Sequence, residues 1–381
     1  MIGGIMKIAF IYDAAYPWHI GGAEAIHYNE AKELAKKHEV HFFSMRWPGM
    51  ARDFTYEGIH YHSLFDVTHD SLYNNSRRSI SEAVLFSMSM FNIFRYRFDV
   101  VVSNQFPVLH LPLVRIYCWI FRCSMVLHVD EVWSRKYWKS YLGEFKGTFA
   151  HRLNSLFLRG ADFYIANSSS TAKDLANEGM AAEKLRCFSP VINSKAMSKI
   201  RASHLPDNTI LFSGRLIKEK RLDLWLSILE KVNKTSRVPV HGLIVGSGPE
   251  EESVRNMIDS KGLSNVVSMQ GFFSSSQELY SAIKGSLAML NMSEREGLSV
   301  ISIESVALGT PVFLPKYTPI PKEISEMCNV YDTEKIVSNI THLLATGNKK
   351  EYLHRKANLK QFLSSHIPGV YDKIFSILQR N

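Results

Sequence analysis

Cysteine is scarce. The chain of 381 residues holds four, Cys118, Cys123, Cys187 and Cys328. Four thiols at spacings that match no zinc pattern exclude a disulfide framework and a structural zinc module. They suggest a reducing cytosol. Long apolar runs are missing too. The most hydrophobic region, Pro107 to Leu127, is broken by Pro112, Arg115 and Arg122, so it should not span a bilayer. The opening MIGGIMKIAFIY has a short apolar stretch without a small-residue cleavage site. It reads as a first strand rather than a signal peptide. No run of five or six consecutive basic residues occurs, which argues against a disordered nucleic-acid arm. There is no solenoid repeat, no low-complexity segment and no G-x-G-x-x-G fingerprint, and the last weakens a dehydrogenase reading.

What the chain does carry is positive charge. Forty-five Lys and Arg against 36 Asp and Glu give a formal net charge of +9. An anionic partner follows from that excess: a phosphorylated small molecule, an anionic membrane surface, or nucleic acid. The excess is uneven, with eight basic and three acidic residues between 111 and 160.

Short apolar runs alternate with helical patterns. The first half offers Lys7–Tyr12, Val40–Ser44, Ile59–Ser63, Asp99–Ser103, Met125–Val129 and Phe163–Asn167. The second offers Ile210–Ser213, Val240–Val245, Val266–Gln270, Leu287–Asn291 and Pro311–Leu314. Continuous runs of this length suit strands buried on both faces of a parallel sheet. Apolar residues three and four apart, as in Asp223–Val232 and Ile303–Leu308, supply the helices between them. The alternation predicts an α/β fold of two Rossmann-like doubly wound domains facing across a cleft. The polar, basic segment Asn193 to Asn208 is the expected linker. The domains are then 1–195, 196–360, and a last helix over 361–381.

Five motifs could carry chemistry. Gly21 and Gly22 sit at a strand-to-helix turn, where a backbone can approach an anion closely; a plain turn is the alternative. Ser213-Gly214-Arg215 with Lys220 places a guanidinium and an ammonium near one strand end, which suits a diphosphate. A solvated basic loop would look the same. Glu296 and Glu304 are eight residues apart, with Gly297, Leu298, Ser299 and Val300 between them. A glycine there favours Glu296 in a loop and Glu304 within a helix. Carboxylates accept paired hydroxyls, and the N–H groups of Leu298 to Val300 would face phosphate. His128 ends an apolar strand, as a functional residue or a hydrogen-bonded core histidine. Trp133, Tyr137, Tyr141, Phe145 and Phe149 recur every four residues among basic neighbours. That stripe is either core packing or a basic, aromatic rim for a lipid-linked acceptor or a membrane surface.

Taken together, these residues resemble a group 1 (family 4) retaining glycosyltransferase of GT-B architecture. The resemblance rests on Gly21-Gly22, His128, Ser168, Gly214-Arg215 with Lys220, Gly246-x-Gly248-Pro249, and Glu296 to Glu304 followed by Gly309-Thr310-Pro311-Val312. These positions span most of the chain in the family's order.

The resemblance implies a nucleotide-diphosphate sugar as donor, no cofactor and no metal. Arg215 and Lys220 would hold the diphosphate in place of a divalent ion, and no Asp-x-Asp motif is present. Glu304 would bind the ribose and Glu296 the donor sugar, with the N–H groups of Gly297 to Val300. Gly22 would let the first domain close on the phosphates, and His128 would contact the sugar near the reacting carbon. The implied acceptor is a glycan or lipid-linked molecule, with the protein in the cytoplasm or peripheral at an anionic membrane, and with no nucleic-acid partner.

Two departures stand out. Ser299 occupies a position that is glycine in the family, and Ser189 to Asn193 lacks the usual glycine before the linker. Another GT-B enzyme, such as a nucleotide-sugar 2-epimerase, and a catalytically silent binding subunit are the alternative readings.

Overall fold

The computed structural model describes residues 4–67, 73–74, 77–206, 208–354 and 358–379. It divides into two compact units. Residues 1–190 and 362–381 form the first, and residues 191–361 the second.

In the first unit an eight-stranded sheet runs β10-β9-β8-β7-β1-β2-β4-β3. Its strands are β1 (Lys7–Ile11), β2 (Glu39–Arg46), β3 (Asp53–Tyr56), β4 (Ile59–Asp66), β7 (Val100–Asn104), β8 (Ser124–Val129), β9 (Phe163–Ala166) and β10 (Leu185–Cys187). A two-stranded ribbon, β5 (Tyr73–Asn74) with β6 (Arg77–Arg78), lies apart. The apolar runs of the sequence become the central strands, buried on both faces as parallel pairing requires. The edge strand β3 departs from the parallel expectation. It pairs antiparallel with β4 across Glu57-Gly58, both at positive φ (48° and 83°). Such a two-residue turn matches the twist of a hairpin.

The helices of this unit are α1 (Gly22–Leu34), α2 (Ile80–Ser89), α3 (Leu111–Phe121), α4 (Arg135–Leu142), α5 (Glu144–Leu158) and α6 (Ser169–Asn177). Among them α3 packs on α5, α2 on β4 and α6 on β9 and β10. The aromatic stripe expected over 133–149 is not one helical face. Gly143 (φ 86°) separates α4 from α5, and Trp133 meets Tyr137 and Tyr141 edge-on while the two tyrosines stack. Phe145 and Phe149 lie exposed on α5.

The second unit has a parallel sheet in the order β13-β12-β11-β14-β15-β16. These strands are β11 (Thr209–Ser213), β12 (His241–Val245), β13 (Val267–Gln270), β14 (Ala288–Leu290), β15 (Val312–Pro315) and β16 (Asn329–Tyr331). Its helices are α7 (Ser194–Ser198), α8 (Leu222–Thr235), α9 (Glu251–Ser260), α10 (Ser276–Gly285), α11 (Val300–Ala307), α12 (Lys322–Ser325) and α13 (Thr333–Thr346). Numbered within the unit, the strand order is that of a dinucleotide-type Rossmann sheet, and its direction reverses between β11 and β14. Of the segment expected as a linker, residues 193–206 pack with this unit. Ser203 donates its N–H to the Ser281 carbonyl at 3.0 Å, and Lys284 Nζ reaches the Ile200 carbonyl at 2.9 Å.

The last helix, α14 (Ile367–Leu378), belongs to the first unit and packs on α1. Among the described residues no helix is long and apolar enough to cross a membrane.

Candidate functional site

In doubly wound sheets ligands bind beyond the carboxyl ends of the strands, at the point where strand order reverses. In the second unit that point lies between the loop after β11 and the loop after β14. Most of the second-half candidates are there.

Three strand ends are laced by backbone bonds. The N–H of Gly214 donates to the Val245 carbonyl (3.0 Å), that of Leu216 to Ser247 (2.9 Å), and that of Gly246 to Gln270 (3.0 Å). Glycine is required at two of these positions. A Cβ on Gly246 would lie 1.9 Å from the Gly214 carbonyl oxygen, and one on Gly248 would lie 2.5 Å from that of Leu216. Both also hold positive φ (148° and 154°). Gly214 and the partly buried Arg215 therefore stand on a rigid platform at the end of β11.

Lys220 closes a short 3-10 turn, Lys218–Lys220, after this strand. Its Nζ donates to Glu296 Oε1 at 2.7 Å, joining residues 76 apart in sequence. Two further bonds tie the same loops. Arg221 Nη1 donates to Glu294 Oε1 at 2.9 Å, and the N–H of Glu294 donates to the Glu219 carbonyl at 2.8 Å. Arg221 also grips Asp223 through two nitrogens.

Burial by itself would raise the pKa of Glu296. The Lys220 charge, together with hydrogen bonds from Lys220, Ser293 and Asn291, outweighs it and holds the carboxyl below its usual value. Asn291, not flagged by sequence reasoning, organises this loop. Its amide donates to Glu296 Oε1 (3.1 Å) and Ser299 Oγ (2.9 Å), and its carbonyl oxygen accepts from Ser293 Oγ (2.7 Å).

Glu296 lies in the loop and Glu304 within α11. Glu304 keeps part of its surface open, yet desolvation raises its pKa to about 7, against the pull of one hydrogen bond. That bond comes from the Tyr280 hydroxyl on α10, at 2.9 Å. Tyr280 was also invisible to the sequence reading, because the contact depends on how α10 packs on α11. Ser299, 2% exposed, turns its hydroxyl inward to Asn291 and to Ser302 Oγ. The expectation of a free N–H at Val300 is corrected. That group donates to the Leu298 carbonyl at 3.0 Å, because the chain tightens before the helix. Gly297 and Leu298 are partly buried in the same loop.

In the first unit Gly21 caps α1 in an extended conformation. A Cβ there would lie 2.2 Å from Glu24 Oε2, so the glycine lets Glu24 fold back over the turn. Gly22 is the first residue of α1. Ser168 is fully buried and caps α6 by accepting the N–H of Thr171 at 3.2 Å.

Of the two readings of His128, the structure describes the hydrogen-bonded core histidine. Its side chain is 2% exposed, with Nε2 2.8 Å from Glu30 Oε2 on α1. Tyr371 on α14 donates to the same oxygen at 3.0 Å. His27, Glu30 and His128 have potential ligand atoms within 4.8 Å of one another. Hydrogen bonding assigns one of them. Asn104 accepts the N–H of Phe106 (2.8 Å), so its amide nitrogen donates to Asp130 Oδ2 and to His27 Nε2 (both 2.9 Å). His27 Nε2 is then an acceptor, and when neutral its proton sits on Nδ1, facing Glu30. That arrangement is a buried charge network rather than an open ligand set.

Comparison with known proteins follows the two units. A family model described as "Glycosyltransferase Family 4" matches residues 20–195, and one described as "Glycosyl transferases group 1" matches residues 193–360. The sulfoquinovosyl transferase SQD2 of Arabidopsis thaliana is 25% identical over 52% of this chain and 41% of its own length. An O-antigen biosynthesis glycosyltransferase WclY of Escherichia coli is 24% identical over 50% of this chain and 53% of its own length. The chain thus spans about half the length of these relatives. A second WclY match, 22% identical, covers 98% of this chain and 99% of that protein. Among solved structures, the sucrose-phosphate synthase of Thermosynechococcus elongatus superposes with a TM-score of 0.77 at 15% identity, covering 98% and 100% of the two chains. Anabaena Alr3699/HepE in complex with UDP and glucose gives 0.68 at 16% identity, covering 97% and 99%. Both share the fold of this chain.

Proposed function

The chain belongs to the group 1 glycosyltransferases, and from that premise we propose that it moves a hexose from a nucleotide-diphosphate sugar to a glycan or glycolipid acceptor, with retention at the anomeric carbon and without a metal. The observation that carries this reading is the Lys220–Glu296 pair at 2.7 Å. It brings a cation and a carboxylate together at the switch point, with the carboxyl of Glu304 in the helix that follows.

The roles follow from the chemistry. An ammonium has three donors, and one goes to Glu296. The others are available to a diphosphate, with the Arg215 guanidinium beside them in sequence. Glu296, held ionised, accepts hydroxyls of the donor sugar. Glu304 accepts the paired hydroxyls of the ribose. In transfer, the acceptor hydroxyl bonds to the anomeric carbon, the bond from that carbon to the diphosphate oxygen breaks, and the hydroxyl proton passes to the departing phosphate. Lys220 and Arg215 stabilise the charge that builds on the leaving group, the part a divalent ion would otherwise play.

Relatives support the donor class. Alr3699/HepE has been solved with UDP and with UDP-glucose, so uridine diphosphate sugars are the first donors to test. WclY, named for O-antigen biosynthesis, and the lipopolysaccharide-pathway protein WaaG support a glycan or glycolipid acceptor. The test is calorimetric titration with UDP and other nucleoside diphosphates, followed by nucleotide release with and without candidate acceptors. Release that requires an acceptor supports transfer. Absence of binding to every nucleoside diphosphate would remove the reading.

A further inference from the structure

Three histidines share one face of the sheet edge in the first unit. His60 and His62 alternate along β4, and His41 faces His60 from β2. His60 is exposed, with Nδ1 3.1 Å from Thr55 Oγ1. The other two meet each other. His41 Nδ1 lies 2.8 Å from His62 Nε2. Their rings are 7° from parallel, with centroids 5.1 Å apart. The centroid separation exceeds the nitrogen separation by two ring radii. The rings are therefore nearly coplanar, and the two nitrogens point straight at each other. Positions aimed head-on suit one hydrogen between them and leave no vertex for a metal ion.

The outer nitrogens of the pair meet carboxylates. His41 Nε2 is 2.8 Å from Glu39 Oε1, which also accepts from Lys7 Nζ at 2.7 Å. His62 Nδ1 is 2.8 Å from Asp53 Oδ1 on β3, and the Tyr96 hydroxyl is 3.3 Å from the same nitrogen. An ionised carboxylate only accepts. Two carboxylate contacts and the contact between the rings thus need three N–H hydrogens. Two neutral imidazoles carry two, so the full set exists only in the singly protonated pair.

Nearby donors decide which contact the neutral pair gives up. Lys7 holds Glu39 beside His41, so His41 keeps its hydrogen on Nε2. His62 then donates through Nε2 to His41, and its bare Nδ1 accepts from the Tyr96 hydroxyl. Asp53 faces a lone pair and is released to water, where its side chain already stands 74% exposed.

The surrounding charges set the range. Burial lowers the pKa of both histidines below the ordinary 6.5, His41 to about 4, against the pull of Glu39 on His41 and of Asp53 on His62. Lys7 acts on both rings in the same direction as burial, and His60 does so on His62. From α2, which packs on β4, the one charged residue is the buried Glu82. Arg97, beside Tyr96, lies over the Phe121 ring.

We propose that His41 and His62 form a proton-binding switch: with the shared proton in place Asp53 fastens β3 to β4, and with the proton gone His62 turns to Tyr96 and Asp53 is free. β3 carries Phe54 and Tyr56, which pack edge-on against Trp18 in the loop that leads to Gly21. The switch therefore acts on the strand that seats the Gly21-Gly22 turn. None of its residues is assigned to the donor, so it stands apart from the transferase reading.

The test is ring-nitrogen NMR of the full chain labelled with nitrogen-15 histidine, titrated from about pH 7.5 to about pH 4.5. At the upper end both rings should be neutral with hydrogen on Nε2. On acidification they should respond together, in one step that takes up a single proton. Asp53→Asn removes the anion that the protonated pair holds, so the midpoint should fall by about half a pH unit. Tyr96→Phe removes the donor that the neutral pair needs, so the midpoint should rise by about as much. Exchange of the β3 amides, corrected for its intrinsic pH dependence, should slow about two- to fivefold across the wild-type step and stay level in D53N. Four results would overturn the proposal: hydrogen on His62 Nδ1 at the upper pH, separate midpoints for the two rings, a midpoint that Asp53→Asn leaves in place, or both variants moving it the same way. Asp53 is exposed, so Asp53→Asn decides the matter even where Tyr96→Phe impairs folding.

Discussion

His128 Nε2 lies 2.8 Å from Glu30 Oε2 inside the first unit. The two residues come from β8 and α1, and Tyr371 of α14 donates to the same carboxylate oxygen. The pair sets both pKa values. Burial works against each charge, but each partner's charge overrides it, lowering Glu30 to about 2 and raising His128. A histidine raised by folding adds stability that is complete below its ordinary 6.5 and fades as pH rises through its folded value. A carboxyl lowered by folding adds stability that is complete above its ordinary 4.5 and fades toward about 2. The pair is therefore worth most between these ordinary values. Melting temperature scanned upward from pH 6 should fall, and the fall should shrink in E30Q/H128Q. Glu30→Ala alone, which strands a buried imidazolium, should cost about 3–5 kcal/mol in denaturant unfolding, and more than the double variant.

Lys220 and Glu296 define the second prediction. Lys220→Ala removes a charged donor from the proposed diphosphate site and should weaken UDP binding by about 1.5–3 kcal/mol in calorimetry. Arg215→Ala plus Lys220→Ala should abolish measurable turnover. Transfer at the wild-type rate from that double variant would sink the assignment. Glu296→Gln keeps the shape and the hydrogen bond but loses the charge, so it should retain UDP affinity better than it retains turnover.

Glu304, with a pKa of about 7, should give donor binding a pH dependence. The ionised carboxylate accepts two hydroxyls and the protonated one does not, so affinity should fall as pH drops below about 7. Tyr280→Phe removes the donor that favours ionisation. The profile should then move to higher pH, whereas Glu304→Gln should flatten it. For the ligand-free fold the sign is opposite: a raised carboxyl binds its proton more tightly when folded, so its contribution to stability is lost between the ordinary 4.5 and about 7.

Backbone geometry supplies a prediction that needs no ligand. Gly246→Ala would drive a methyl to 1.9 Å from the Gly214 carbonyl, at a φ that side chains avoid. The second unit should lose at least about 1–3 kcal/mol, read as a lower thermal transition. Gly271→Ala, with nothing within 4 Å of its added carbon, is the control and should melt with the wild type.

The sequence by itself determined the α/β alternation, because strands buried on both faces read as continuous apolar runs whatever their partners. Each of the eleven runs contains or overlaps an observed strand. Spacing around Gly297 was likewise enough to put Glu296 in a loop and Glu304 in a helix. Tertiary structure alone decided which groups meet. His128, at the end of β8, meets Glu30 and Tyr371, which are 98 and 243 residues away, in a buried ion pair. Asn291 and Tyr280 joined the site through contacts that no local pattern announces. Among the described residues no helix is long and apolar enough to cross a membrane, but the scarcity of long apolar runs also hid the exposed apolar side chains of α2, α3 and α5. Periodicity reports that a stripe exists. Which stripe is buried depends on what packs against it, and only the assembled sheet supplies that.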